Sequence, residues 1–594
     1  GGQINATDKN LPTWDLTDLY NDPKDPAIRR DLDDAKARSD AFQKNYQGKL
    51  AGLSGNELAA AIAEYEAVSE VCGRIGSFAQ LLYAGDSSDA AIGQFYQSVQ
   101  EEMTSISSLS LFFGLEINRI EEEVLSTKYN ESAALCRYRP WLDENRAFRP
   151  HQLSDEVEQV LHERRVAGSS AWVRLFDQTM ADLRFPMNGE ELTMSYVANM
   201  LSSTKVAERK AAAKSIGDVL GKNIKLLAHI TNTLAKDKEI DDRLRKFATP
   251  VSARNLSNQV EDDVVEALNS AVASSHADLS HRYYRLKAKW FGVDQLDYWD
   301  RNAPLPDDDD RHIDWDTARK TVLKAYGEFS PELAEVGQKF FDNPWIDVPP
   351  RAGKSSGAFA HPTVPSAHPY LLLNYHGKTR DVMTLAHELG HGVHQVLAGE
   401  QGYFLSDTPL TLAETASVFG EMLTFQSMLR AETDPKMKRI MLAGKVEDML
   451  NTVVRQIAFF EFEKRVHTKR REGELTVDEI CEIWLAVQHE SLGDAIRYED
   501  EYKYYWSYIP HFIHSPFYVY AYAFGDCLVN SLYDVYENAE DGFQQKYFEM
   551  LKAGGTKRHQ ELLAPFGLDA SDPAFWQRGL NMIKRMIDEL EELS

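Results

Sequence analysis

Apolar residues recur at three- and four-residue spacing along most of this 594-residue chain, with few prolines inside the long periodic stretches. That spacing predicts amphipathic helices. Clear cases run from Leu58 to Leu82, Ala91 to Phe113, Val206 to Ala235, Val260 to Trp290 and Arg439 to Arg471. Three interruptions break the pattern. Arg184-Phe185-Pro186-Met187-Asn188-Gly189-Glu190 reads as a tight turn between short strands, because Asn-Gly suits the positive-φ pair of a hairpin. Pro304 to Asp310, with aspartates from Asp307 onward, reads as a solvated loop. Pro349 to Pro369 is rich in Gly, Pro and Ser and leads into Tyr370-Leu371-Leu372-Leu373-Asn374-Tyr375, a short apolar run suited to a buried strand. No internal repeat is present, which disfavours solenoids and propellers. The pattern predicts an all-α, predominantly helical protein with a small sheet, residues 1–190 forming an N-terminal helical region.

Composition narrows the function. Lys and Arg number 65 against 92 Asp and Glu, a formal charge of −27. Without a long basic block, this acid excess argues against nucleic acid as a partner. A single core stops growing near roughly 250–300 residues, so the chain should hold about two to four subdomains. Cys72, Cys136, Cys481 and Cys527 lie far apart with no CxxC pair, so neither a disulfide framework nor a thiolate zinc site is expected, and a reducing compartment fits. No cationic-then-apolar leader and no run of about 18 apolar residues is visible, so the expectation is a cytoplasmic chain without a membrane partner.

The candidate chemistry lies just after the apolar run, in His387-Glu388-Leu389-Gly390-His391-Gly392-Val393-His394. On a helix over about 380–398, His387 and His391 project from one face, so two imidazoles can bind one metal ion with Glu388 beside it. Leu385, Leu389, Val393 and Val396 cluster on the other side, which turns the histidines away from the core. A catalytic zinc site needs a third protein ligand. The apolar segment over about 410–430 reads as a buried helix carrying Glu414 and Glu421, seven residues apart on one face; one could ligate while the other supports a ligand histidine. The aminopeptidase-like spacing would require a glutamate where Leu410 stands. The HExxHxxGxxH extension is excluded by His394 and Leu397.

His387-Glu388-Leu389-Gly390-His391-Gly392-Val393-His394 followed by Leu412-Ala413-Glu414-Thr415-Ala416-Ser417 resembles the oligoendopeptidase F and thimet oligopeptidase family of zinc metallopeptidases, most closely its oligoendopeptidase F branch. Further resemblance comes from Trp14-Asp15-Leu16-Thr17-Asp18-Leu19-Tyr20, from Gly357-Ala358-Phe359-Ala360, and from His511-Phe512 with Pro516-Phe517-Tyr518-Val519-Tyr520-Ala521-Tyr522-Ala523. It implies one zinc ion per chain held by His387, His391 and Glu414, with Glu388 as catalytic base and Glu421 in support. The implied fold is almost wholly helical, two helical halves around a deep channel, with residues 191–594 as the catalytic metallopeptidase domain. Gly357, Ala358, Phe359 and Ala360 correspond to an edge strand that pairs with the substrate backbone. His511, Tyr518 and Tyr522, at helical spacing, correspond to donors toward the oxyanion, although an aromatic core helix would give the same pattern.

His394 reads either as a residue behind the ligands or as a structural histidine, and His361 and His368 as loop histidines. The resulting expectation is hydrolysis of internal bonds in short unfolded oligopeptides. A dipeptidyl carboxypeptidase on the same scaffold and a non-catalytic peptide-binding protein are the competing readings. The sequence leaves monomer and small homo-oligomer equally open.

Overall fold

The computed structural model describes residues 10–305, 311–409, 412–538 and 541–594. Asp307 to Asp310 and Leu410 lie outside the described residues. The fold is predominantly helical with a few short strands, as the periodicity predicts. Several of the long periodic stretches are broken helices. The Val206 to Ala235 stretch divides into Val206–Lys222 and Ile224–Leu244 at Asn223, whose side-chain amide turns back to the Val219 carbonyl at 2.8 Å. Arg439 to Arg471 divides at Val453. Neither break disturbs the apolar period. Phe185–Met187 and Glu190–Leu192 pair antiparallel, with Asn188 at φ 52° and Gly189 at φ 83° in the turn between them.

The chain packs into two compact units, each drawn from three segments. The first comprises Gly1–Arg149, Asp310–Ala431 and Tyr536–Gly567; the second comprises Pro150–Asp309, Glu432–Val535 and Leu568–Ser594. The linear division at residue 190 therefore marks a hairpin inside the second unit rather than a limit of packing. The reason is a shared core: Leu16, Leu19, Ile75 and Phe78 from the N-terminal helices bury with Tyr370 of the sheet.

In the first unit, helices α1 (Trp315–Phe329) and α2 (Pro331–Asp342) precede strands β1 (Ile346–Asp347), β2 (Phe359–His361) and β3 (Tyr370–Leu372), then helices α3 (Thr379–Ala398) and α4 (Ser417–Ala431). The sheet order is β1-β3-β2: β1 runs parallel to β3, and β2 runs antiparallel to it, pairing Phe359 with Leu372 and His361 with Tyr370. β2 is thus an edge strand. The Trp14–Tyr20 segment packs against this sheet. The Trp14 ring lies 6.5 Å from Phe359 and 6.0 Å from Tyr370, and the Tyr370 hydroxyl donates to the Asp15 carbonyl at 2.7 Å.

The second unit includes α5 (Val454–Arg470), α6 (Pro510–His514) and, up to Val535, α7 (Tyr520–Asn538); a turn over 515–519 joins α6 to α7. No helix among the described residues is long and apolar enough to cross a membrane.

Candidate metal centre

Helix α3 starts where the Asp381 carboxylate accepts the backbone N–H groups of His376 and Lys378, at 3.1 and 3.0 Å. Val382, Leu385, Leu389 and Val393 are fully buried, while His387 and His391 are half-buried on the opposite side; Val396, expected in the apolar stripe, is also only half-buried. Two glycines set the helix's neighbours. A Cβ on Gly390 would stand 2.5 Å from the Ala416 carbonyl oxygen and 2.7 Å from Ser417 Cα, and one on Gly392 would meet the Phe340 ring at 2.7 Å. Only glycine lets α3 approach the start of α4 this closely. The Tyr326 hydroxyl of α1 donates to the Ala386 carbonyl at 2.6 Å and fixes the helix from a third side.

The expected helix over 410–430 begins only at Ser417. Leu412 to Ala416 forms a turn in which Thr415 Oγ1 donates to the Leu412 carbonyl at 2.9 Å. Short hydroxyl side chains compete for backbone carbonyls in this way and favour turns over helix interiors. The Tyr547 hydroxyl donates to the Thr415 carbonyl at 3.0 Å and anchors the turn. Glu414 therefore stands ahead of the helix and Glu421 one turn within it, so the two do not share a helical face as expected. Both still reach His387, from opposite ring nitrogens.

Glu414 Oε2 lies 3.3 Å from His387 Nε2 and 3.4 Å from His391 Nε2. Ligands at the ~2.0–2.1 Å bond lengths of tetrahedral zinc stand about 3.3–3.4 Å apart, so Glu414 Oε2 already lies at ligand-to-ligand separation from both imidazole nitrogens. His387, His391 and Glu414 are the one group of this kind among the described residues. His387 Nδ1 lies 3.0 Å from Glu421 Oε2, which places the imidazole proton on Nδ1 and leaves Nε2 as the ligand atom. Ser417 Oγ donates to Glu414 Oε2 at 2.5 Å, further orienting that carboxylate.

The electrostatics follow from this crowding. Burial works against charge on His387, but the hydrogen bonds and attraction of Glu414 and Glu421 outweigh it and raise its pKa to about 10. Burial would also raise Glu414, yet the two histidines hold its carboxyl far below the usual range. Glu388, only 8% exposed, is pushed up, first by burial, with His387 and His391 opposing and the two other carboxylates adding to it. It has no hydrogen-bond or ion-pair partner among the described residues. In the metal-free chain His387 carries a proton at neutral pH that a metal ion must displace. Zinc binding should thus release about one proton, and the apparent affinity should rise about tenfold per pH unit up to pH near 10; titration calorimetry in buffers of different ionisation enthalpy measures this. The same linkage stabilises the metal-free fold fully below the unfolded histidine value and is lost as pH climbs through about 10.

A cavity of about 1160 Å³ within the first unit reaches His391 and the β2 residue His361. Trp141, Tyr403 and Phe404 line it together with Glu144, Glu400 and Asp407. His394 is buried on its wall, near Thr408 Oγ1 at 3.4 Å, and burial lowers its pKa to about 4. His361 Nδ1 accepts the Thr363 N–H at 3.0 Å, and His368 stacks on Trp345 at 3.9 Å and reaches Asp18 at 2.7 Å, both holding loops.

In β3, the Leu371 and Leu373 N–H groups donate to the Trp345 and Asp347 carbonyls on the β1 side. By alternation Tyr370 and Leu372 face β2, so the backbone of Ala360 in β2 points away from the sheet. Gly357 precedes the strand at φ 82°, followed by Ala358, and the Asn374 amide holds the Gly357 carbonyl at 2.8 Å.

In the second unit, His511 Nε2 lies 3.2 Å from the Tyr522 hydroxyl, and the Tyr518 and Tyr522 rings stand 5.5 Å apart. Tyr522 is 41% exposed, whereas Tyr520 is fully buried and accepts from Asn258 Nδ2 at 2.9 Å. Three residues the sequence reading missed shape the metal centre: Ser417, Tyr326 and Tyr547. Ser417 lay within the quoted motif; the tyrosines come from distant segments and left no local signal.

Gly390→Ala should cost about 1–3 kcal/mol, because its Cβ meets backbone that cannot move aside. Thermal melting and zinc titration should both show the loss, and native values in both would refute the close-approach account.

Residues 199–582 match the family model described as peptidase family M3, and residues 116–185 match that described as oligopeptidase F. The chain is 29% identical to oligopeptidase PepF of Bacillus subtilis, covering 98% of this chain and 87% of that protein. It is 26% identical to an oligoendopeptidase F homolog of Lactococcus lactis, covering 98% and 97%. Among solved structures it superposes on a protein from Chlamydophila abortus with TM-score 0.89 at 22% identity, over 100% of both chains. It also superposes on oligoendopeptidase-F from Enterococcus faecium with TM-score 0.69 at 22% identity, over 96% and 97%.

Proposed function

Because the chain belongs to peptidase family M3, we propose that it is a zinc-dependent endopeptidase that hydrolyses internal bonds of short, unfolded oligopeptides. The observation that carries the reading is the convergence of His387 Nε2, His391 Nε2 and Glu414 Oε2 at 3.3 and 3.4 Å, with the Glu388 carboxylate on the same helix making no hydrogen bond or ion pair among the described residues. Two imidazoles and one carboxylate suit zinc, and three protein ligands leave a position open. A zinc ion held there supplies a Lewis acid that lowers the pKa of water and polarises the scissile carbonyl.

The chain's own residues do the rest. Glu388, as carboxylate, accepts a proton from the attacking water and returns it to the departing amine, and its raised pKa suits both halves of that transfer. Glu421 keeps the His387 proton on Nδ1. The outward-facing backbone of Ala360 offers one N–H and one C=O to an extended peptide, giving affinity without demanding a side chain. Gln395 Nε2 contacts that carbonyl at 3.4 Å, a long bond that a peptide strand would replace. By resemblance, His511, Tyr518 and Tyr522 donate to the substrate carbonyl and the developing oxyanion; the exposure of Tyr522 and its contact with His511 support a polar role over a core one. The cytoplasmic expectation stands alongside this reading, which needs no membrane or nucleic-acid partner.

The purified protein should cleave an internally quenched peptide blocked at both ends, lose activity to a zinc chelator and regain it with added zinc. A dipeptidyl carboxypeptidase would spare the blocked peptide and cut one with a free C-terminus.

A further inference from the structure

Glu463, on α5, is a buried carboxylate that the chemistry above does not use. It is 2% exposed and makes no ion pair among the described residues. One oxygen, Oε2, accepts the backbone N–H of Phe517 at 2.9 Å; the other, Oε1, is buried without a hydrogen-bond partner among the described residues. The side chain borders a cavity of about 30 Å³, room for a single water. An isolated buried carboxylate is costly, and a leucine would pack there without that penalty. Burial accordingly pushes its pKa to about 8, against the pull of the Phe517 N–H, Arg254 and Lys238.

What this carboxylate holds is unusual. Phe517 has φ 64°, a left-handed conformation that a bulky residue adopts only when its surroundings enforce it. Its ring is fully buried against Phe460 and His467, at 6.0 and 4.9 Å. The preceding carbonyl, of Pro516, accepts from Arg254 Nε at 3.1 Å, and the same guanidinium lies over the Tyr518 ring at 5.7 Å. Both polar groups of the peptide unit that leads into the strained residue, the Pro516 C=O and the Phe517 N–H, are thus gripped by side chains from other helices. The next residue is Tyr518, whose ring meets Tyr522, which in turn meets His511.

We propose that Glu463 is a positioning residue for peptide hydrolysis: by accepting the Phe517 N–H it holds the 515–519 turn in the conformation that aims the Tyr518 hydroxyl. The inference rests on the reading of Tyr518 as a donor to the substrate. The requirement is for a hydrogen-bond acceptor at Oε2, so Glu463→Gln, which keeps one, should retain near-native kcat. Glu463→Leu removes it and should lower kcat about 10- to 100-fold at unchanged zinc content and KM, the loss that a misaimed group brings.

A merely structural residue would lower the melting temperature without splitting kcat from KM in the folded enzyme. If Glu463 acts through Tyr518, the double variant Glu463→Leu/Tyr518→Phe should be no slower than the worse single variant; multiplying losses would overturn the proposal. An impaired Tyr518→Phe beside a fully active Glu463→Leu would overturn this inference alone. A fully active Tyr518→Phe would remove the donor role and this inference with it. Should Glu463→Leu not fold, Arg254→Met, which releases the Pro516 carbonyl from the other side, should lower kcat in the same manner, and native kcat there would refute the turn as the controlling element.

Discussion

Glu388→Gln should fold, bind one zinc ion per chain and lose about 10²–10⁴-fold in kcat, the range that a positioned general base contributes. The substitution changes little else. Glu388 makes no hydrogen bond or ion pair with a described residue, so an amide of the same size leaves no neighbour stranded. It also removes a third carboxylate from beside Glu414 and Glu421, whose negative charges raise the Glu388 pKa. Metal affinity should therefore hold or change slightly. An amide cannot take the water's proton, and the loss should appear in kcat with KM nearly unchanged, since the residue is not required for binding. Near-native turnover would remove Glu388 from the mechanism.

The second large effect concerns the two glutamates that converge on His387. Glu414→Ala removes a ligand and leaves two imidazoles, so the purified variant should contain substoichiometric zinc and show almost no activity. Glu421→Ala leaves the ligand set intact and removes the acceptor of the Nδ1 proton, 3.0 Å away. It should keep zinc at high concentration but bind it about 10- to 100-fold more weakly. Elemental analysis after dialysis against graded chelator separates the two. Full zinc in Glu414→Ala with loss in Glu421→Ala would exchange their roles. The alanine variants should also differ in the pH dependence of the metal-free protein, because each removes one of the two hydrogen bonds that raise His387.

Much of this centre was legible from sequence because its chemistry is local. His387, Glu388 and His391 sit within one helical turn, and the apolar positions Leu385, Leu389 and Val393 show which way they face. Choosing Glu414 over Glu421 needed the family resemblance, since both carry the same group in an equally apolar segment. The turn before Ser417 was invisible because apolar periodicity does not register the Thr415 hydroxyl capturing a backbone carbonyl or the Ser417 hydroxyl capturing the Glu414 carboxylate. Tyr326 and Tyr547 hold that region from 60 and 132 residues away in the chain. No local window contains such contacts.

The same limit explains the units. Asn188-Gly189 announces a hairpin, which it forms, but a turn signal carries no information about which segments share a core. That was decided by Tyr370 burying with Ile75 and Phe78, nearly 300 residues away in sequence. The helix breaks at Asn223 and Val453 passed unseen for the opposite reason, being too slight to shift the apolar pattern. Tyr518 and Tyr522, grouped by their helical spacing, do meet ring to ring at 5.5 Å, while Tyr520 between them is fully buried and Tyr522 is 41% exposed.

Diffraction from crystals grown with zinc, measured on both sides of the zinc absorption edge, tests the central assignment most directly. A single anomalous peak about 2.0–2.1 Å from His387 Nε2, His391 Nε2 and a Glu414 carboxylate oxygen, with Glu421 on Nδ1 and outside bonding distance, is the predicted result. A peak ligated by Glu421 in place of Glu414, or none at these histidines at full zinc loading, would contradict it.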